Sequence, residues 1–387
     1  MAQGRSKMLS AVVYPFKGDK FGLTFSQADS FQPQPQAVDL FGTVLGNTSG
    51  RGRDIGLFTN LFDDKLVVSL KVYRVNVRDD RTANSTLGGR ISRLEAGVFL
   101  PGTGSDRMSL YNFAQTQART RLGETATQAQ VDAEAAKITQ FSAGFQSALD
   151  ANIAGAAIRG TADTAAKGAE VEIAYNPNYN WNFKFNASQT KALNERIESN
   201  LADYIDERMP YWESVKDDAG NLWWTSTALN AQSAKAFFDS AVLIPLKVGQ
   251  ALLGKSNPQV KKYSWRMLST YRFTRGRLKD FSVGGSARWD DRSVVGYLAG
   301  AADSDGVVRT LDVDRGVYDP ARYQFDVWFG HTRRLYKDKI RARFGLNIGN
   351  IFENGGLRVT AVNPDGQPYN YRIINPRTFL FTTSFDF

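Results

Sequence analysis

Apolar and polar residues alternate with a period of two over much of this chain, the pattern of a strand that shows different surroundings to its two faces. Over residues 181–188 the apolar set is Trp181, Phe183, Phe185 and Ala187, while Asn182, Lys184, Asn186 and Ser188 fill the other parity. Phe281, Val283, Gly285, Ala287 and Trp289 alternate with Ser282, Gly284, Ser286 and Arg288 in the same way. So do Ile340, Ala342, Phe344, Leu346 and Ile348 against Arg341, Arg343, Gly345, Asn347 and Gly349. Phe379, Phe381, Thr383, Phe385 and Phe387 repeat the pattern at the end. Less regular runs cover residues 21–26, 55–61, 66–73, 169–175, 263–273 and 323–329, and the weakest covers 8–16. At about 8–12 residues each, these runs have the length of tilted strands crossing a bilayer.

The connections between them fall into two classes. Five are short, at residues 17–20, 63–64, 176–180, 274–280 and 336–339; five are long, at 30–51, 79–165, 192–262, 291–321 and 352–377. Short and long alternate without exception, as periplasmic turns and extracellular loops do in an outer-membrane barrel. Five hairpins and a last strand over 376–387 give an expected eleven strands, the first beginning on the loop side. An odd count is unusual for a bacterial single-chain barrel, and the first residues lack the apolar core of a signal peptide. Both features predict that the chain is the C-terminal part of a longer barrel. Two loops contain helical spacing: Val131, Ala135, Ile138, Ser142, Phe145 and Leu149 predict an amphipathic helix over 127–150, and a second is expected over 234–254 with Pro245 inside it.

Composition narrows the functions. Hydrophobic residues make up 42%, and 48 Lys+Arg against 39 Asp+Glu give a net charge of +9. That excess is spread along the chain and does not point to nucleic acid. The absence of cysteine excludes thiol chemistry and thiolate metal sites, and with His331 as the one histidine, histidine metal clusters and a Ser-His-Asp triad are nearly excluded. No apolar run approaches the roughly 18–20 residues of a membrane helix. The aromatic content is high, with 25 Phe, 15 Tyr and 7 Trp. Several of these stand at strand ends, as Tyr14 and Phe16 opposite Phe21, Tyr175 opposite Trp181 and Phe273 opposite Phe281, where an interfacial girdle sits.

The C-terminal sequence resembles that of TonB-dependent outer-membrane receptors. Asn347, Asn350 and Phe352 match an Asn-x-x-Asn-Leu-Phe-like element that precedes the family's last loop, with Ile351 where leucine is usual. Residues 376–387 resemble the terminal strand, and residues 50–66 and 166–181 resemble the family's repeated Gly-x-Glu-x-Gly … Phe-Asp-Gly-Arg-Leu hairpin. The resemblance extends over 1–387 in pattern and is specific over 50–75, 166–190 and 263–387. It implies an all-β, antiparallel transmembrane β-barrel, of which this chain carries about eleven strands, half of a 22-stranded barrel. Residues 79–165 and 192–262 would be its long, partly helical extracellular loops. It also implies TonB-energised import of a scarce ligand such as a siderophore, vitamin or glycan across the outer membrane. The plug domain and TonB box of complete members are absent from these residues, so contact with the TonB system would run through that missing portion. A passive diffusion channel is the alternative; an enzyme is not expected, nor is a cofactor or metal.

Individual residues admit two readings each. Trp212, Trp223, Trp224, Tyr204 and Tyr211 cluster in the 192–262 loop, where they can stack on a small-molecule ligand or pack the loop's own core. Arg266, Arg272, Arg288, Arg341 and Arg343 face the lumen and can guide an anion or pair with acidic neighbours. His331 shares the parity of Phe325, Val327 and Phe329, which predicts a place on the lipid face near a turn. Asp303-Ser-Asp-Gly306 and Asp365-Gly366 read as hairpin turns. By resemblance, Phe379, Phe381, Phe385 and Phe387 form the segment that the barrel-assembly machinery recognises.

Overall fold

A computed structural model of the chain describes residues 5–81, 86–97, 108–197, 199–228, 231–255, 258–337 and 339–387. The expectations touching residues 1–4 and position 338 of the last short turn therefore lie outside the described residues. Eleven strands form one antiparallel sheet in which each pairs with the next in the chain. They are β1 (Lys7–Val13), β2 (Phe21–Gln32), β3 (Thr48–Leu61), β4 (Leu66–Asp80), β5 (Ala162–Asn178), β6 (Trp181–Ile197), β7 (Tyr263–Arg272), β8 (Phe281–Asp290), β9 (Arg322–Leu335), β10 (Ile340–Gly349) and β11 (Thr378–Asp386). The sheet is open: β1 and β11 are its two edges and do not pair with one another. No described helix is long and apolar enough to cross a membrane.

The ladder turns the alternation of single strands into two continuous faces. Phe183, Ser269, Gly285, Val327, Ile348 and Phe379 are successive cross-strand partners. Two residues nearer the short turns, Trp181, Tyr271, Val283, Phe329, Leu346 and Phe381 form the next row on the same face. Ile55, Val72 and Phe381 on this face are 59%, 57% and 65% exposed, so the sheet presents an apolar surface that none of the described residues covers. Tyr175 and Trp181, with ring centroids 6.3 Å apart, border it on the turn side. Trp265, Trp289 and Tyr323 border it on the loop side, the tyrosine 6.4 and 6.3 Å from the two indoles. From Phe281 to Trp289 the strand rises about 26 Å, enough for a tilted crossing of hydrocarbon. Val327 stands midway. Val327→Arg is expected to destabilise the bilayer-inserted protein by roughly 2–4 kcal/mol, whereas Arg on the opposite face at Asn347 should change little; unfolding titrations in vesicles would measure both.

All five short connections lie at one edge of the strands. Left-handed backbone closes two of them: Phe62, Asp63 and Asp64 have φ of 57°, 54° and 63°, and Tyr336 and Lys337 have 51° and 55°. Aspartate tolerates this region better than most side chains because it can bond locally. Gly168 answers a different need. A Cβ there would collide with the Gln189 carbonyl oxygen and the Tyr73 ring, which crosses over it to place its hydroxyl 2.9 Å from Thr190 Oγ1.

The strands run further towards the loops than alternation predicts. β5 and β6 each have 17 residues, against expected runs at 169–175 and 181–188. The backbone ladder continues there while the outward parity changes from apolar to charged, as at Lys167 and Lys191, so hydrophobic alternation marks the band and not the strand end. The first three long loops are correspondingly shorter than expected, the two longest following Asp80 and Ile197.

The loops pack into a cap with its own core. Its helices are α1 (Leu87–Ala96), α2 (Leu110–Leu122), α3 (Gln128–Thr139), α4 (Ala143–Ile153), α5 (Ser199–Ser214), α6 (Ala234–Phe238) and α7 (Ile244–Ala251). The single helix expected over 127–150 is two. Gln140 takes a left-handed φ of 45° to end α3, and Ser142 caps α4 by accepting from the Phe145 amide at 3.1 Å. The helix expected over 234–254 is interrupted before Pro245, by a π-helical turn at Asp239–Leu243, and Pro245 occupies the first turn of α7. There its missing N–H is harmless. Asp303 and Gly306 close a turn through a 2.9 Å bond, as do Asn363 and Gly366 at 2.8 Å, so both Asp-Gly segments are hairpin turns.

Candidate functional site

The face opposite the apolar one is polar and forms an open groove of about 670 Å³. One ladder row through it consists of Ser69, Glu172, Asn186, Arg266, Arg288 and Gln324. The next contains Lys184, Leu268, Ser286 and Asp326. Period-two geometry puts them here, since each follows an apolar residue that the other face takes. Aromatic rings also lie on this side where the opposing residue is glycine: Trp328 covers Gly284, and Phe58 covers Gly22.

Three of the five arginines expected here face acids. Arg288 lies 3.4 Å from Asp326, which also accepts from Ser286 Oγ at 2.8 Å and from the Asn350 amide at 2.9 Å. Arg343 contacts Asp386 at 2.5 Å, and Arg272 lies 3.9 Å from Asp280. Arg266 instead has Asn186 and Arg288 as ladder neighbours, which leaves its charge facing the groove. Such a wall can hold water and attract anions. Among the described residues there is no cluster of His, Cys, Asp or Glu able to hold a metal ion. His331 lies on the apolar face, stacked on Phe281 with centroids 4.0 Å apart.

Above the groove, the cap core contains the aromatic cluster. Trp212, Tyr204, Trp223 and Trp224 are buried, between 0% and 5% exposed. Trp212 stacks on Trp224 with centroids 5.8 Å apart, and Phe238 packs against both. Tyr211 is half-buried under the Arg208 guanidinium and donates to the Ile138 carbonyl. Of the two readings open for these five residues, the packing supports the loop core; four of them offer no open stacking surface.

They surround a charge that sequence reading missed. Glu95, on α1, is 0% exposed. Arg208 donates to it twice, from Nε at 2.6 Å and from Nη2 at 2.9 Å, Trp212 Nε1 donates at 2.9 Å, and the Tyr204 hydroxyl donates at 3.2 Å. Arg208 also donates to the carbonyls of Thr139 and Gln140, at 3.0 and 3.2 Å. One ion pair thereby joins α1, the end of α3 and α5. Burial pushes the Glu95 carboxyl above its ordinary value, and the Arg208 guanidinium opposes that shift. The signal was present in the helical spacing of Leu87, Ile91, Leu94 and Glu95, which puts an acid on the buried face.

Other charges tie loop to loop. Arg309 lies within 3.4 Å of Asp239, 3.2 Å of Asp303 and 2.6 Å of Asp305, and Lys247 contacts Asp303 at 2.9 Å. The Arg309 guanidinium holds the Asp305 carboxyl well below the usual carboxylate range. Gln259 Nε2 donates to the Thr360 carbonyl at 3.1 Å, joining the third loop to the fifth.

No protein-family model matches the chain, and no curated protein matches it. Among solved structures, it is similar to the ferripyoverdine receptor of the Pseudomonas aeruginosa outer membrane, at 14% identity and a TM-score of 0.48, over 97% of this chain and 32% of that one. It is similar also to BauA, the ferric preacinetobactin receptor from Acinetobacter baumannii, at 10% identity and a TM-score of 0.46, over 99% and 36%. For the ferric citrate transporter FecA the values are 10% and 0.45, over 98% and 37%. The chain spans about a third of the length of each.

Proposed function

We propose that the chain forms part of the wall and extracellular cap of an outer-membrane receptor barrel of the TonB-dependent kind, which imports a scarce small molecule. One observation carries the reading: an eleven-stranded sheet with one exposed apolar face, aromatic borders, and five tight turns opposite five long loops. In this reading the apolar face meets lipid. The polar face with Arg266 and Arg288 lines the passage or meets the plug that the family places inside its barrels. The Trp212 cluster holds the cap in shape over that passage, and ligand contact falls to residues at the cap surface and the groove. Phe379, Phe381, Phe385 and Phe387, exposed on the edge strand β11 and just after it, serve in recognition by the barrel-assembly machinery.

The natural sequence has no cysteine, so single cysteines report cleanly. With the chain assembled in the outer membrane, a membrane-impermeant maleimide applied to intact cells is expected to modify Ala219→Cys, in the third loop, and to spare Asp64→Cys, in a short turn. Labelling of Asp64→Cys with protection of Ala219→Cys would refute the orientation.

A further inference from the structure

The apolar face does not end alike on its two halves. On the half containing β7 to β9 it ends in Trp265, Trp289 and Tyr323. On the half from β3 to β6 it ends in cations. Leu57 and Ile55 give way to Arg53 and Arg51 along β3, Leu70 and Val72 to Arg74 and Arg78 along β4, and Val171 and Ala169 to Lys167 along β5. The register aligns these changes, for Arg53 pairs with Arg74, Arg74 with Lys167, and Lys167 with Lys191. Four like charges are therefore opposed directly across four strands, an arrangement that is destabilising by itself.

Local acids offset only part of it. Asp29 meets Arg51 at 2.7 Å and Glu195 meets Arg74 at 3.5 Å, while Arg53 has the Gln27 amide oxygen at 2.9 Å. Lys167 is flanked in the ladder by Arg74 and Lys191. The arginine side chains line an open groove of about 620 Å³ on this same face. The exposed Phe25, Ile55 and Val72 are paired across the strands one row further along this face.

We infer that this belt is a binding surface for phosphorylated lipid headgroups of the loop-side leaflet, with acyl chains on Ile55 and Val72 and phosphate oxygens on Arg53, Arg74 and Lys167. Phosphate supplies the missing counter-charge and accepts two parallel bonds from a guanidinium. A soluble anion would satisfy the charges and leave the adjoining apolar floor unused. The inference rests on the reading of the apolar face as lipid-facing, and the test separates the two.

The 387-residue chain would be refolded with phosphatidylcholine vesicles, with or without phosphatidic acid, and separated by flotation; edge pairing between copies leaves both faces unchanged. Uptake by phosphatidylcholine alone tests the lipid-facing reading. A gain in affinity on adding phosphatidic acid, whose phosphate is uncapped, tests the belt. Arg53→Gln/Arg74→Gln/Lys167→Gln is expected to lower that gain by at least about tenfold. Arg266→Gln/Arg288→Gln/Arg343→Gln removes the same charge from the polar face and is expected to leave the gain within about twofold, since charges across the sheet do not touch the headgroups. Equal losses in the two triple variants, or no gain with phosphatidic acid, would overturn the inference. Full displacement of the vesicles by inorganic phosphate would also overturn it, in favour of a free-anion site.

Discussion

Arg208→Met is expected to destabilise the cap by about 3–5 kcal/mol, the loss typical when one partner of a buried ion pair is removed. Glu95 is fully buried and Arg208 8% exposed at its side chain, so water cannot take over the role of the guanidinium without opening the core. Trp212 and Tyr204 would still donate to the carboxylate, but two neutral donors do not balance a charge in this surrounding. The defect should depend on pH in a particular direction. Burial places the Glu95 carboxyl above its ordinary value, and without Arg208 only the Trp212 and Tyr204 hydrogen bonds oppose that. The folded cap then binds the proton more tightly than the unfolded one. The deficit should be small below the ordinary glutamate range and should grow as pH rises through the elevated value. Removing both charges, as Glu95→Leu/Arg208→Met, should recover most of the loss, because an apolar pair of similar volume avoids the desolvation penalty. Denaturant unfolding followed by indole fluorescence is suited to this test, since Trp212, Trp223 and Trp224 all lie in the cap core.

The second large effect concerns the edges. The chain expressed alone in a bilayer is expected to form neither a sealed monomeric pore nor a heat-modifiable monomer. Among the described residues, β1 and β11 each present a row of backbone groups with no strand beside them. In hydrocarbon every unsatisfied N–H or C=O costs several kcal/mol, so even a seven-residue edge such as β1 cannot stand bare there. Pairing with further strands, pairing between copies or aggregation relieves it. Gel mobility before and after heating, together with single-channel conductance, would decide. A stable heat-modifiable monomer with an open pore would reject this account of the edges and support a passive channel.

Much of the sheet was legible because lipid and water impose opposite demands on alternate residues. Phe183, Gly285 and Leu346 carry that signal in their parity, and the positions of all eleven strands follow from it. The strand ends were not legible, because beyond the apolar band the outward parity turns polar while backbone pairing continues; Arg53, Arg74, Lys167 and Lys191 lie in that region. The cap was harder. Helix α1 has an apolar stripe in Leu87, Ile91 and Leu94, but the buried faces of α1 and α5 also contain Glu95 and Arg208, which read as solvent-facing until the pairing is seen. The split between α3 and α4 turns on one left-handed residue, Gln140, of a type that gives no warning of it. The aromatic cluster was found correctly as a cluster, but sequence cannot tell a packed tryptophan from one presented to a ligand; that depends on Phe238 and Trp224 arriving beside Trp212.

Nitroxide scanning along β10 in membranes tests the account most directly. Single cysteines at each position from Ile340 to Gly349 would be spin-labelled and their collision rates with oxygen and with a water-soluble nickel chelate compared. The account predicts a period of two, with Ala342, Phe344, Leu346 and Ile348 favouring oxygen and Arg341, Arg343, Gly345 and Asn347 favouring the chelate. A flat profile, or one with the opposite phase, would contradict the assignment of the apolar face to lipid.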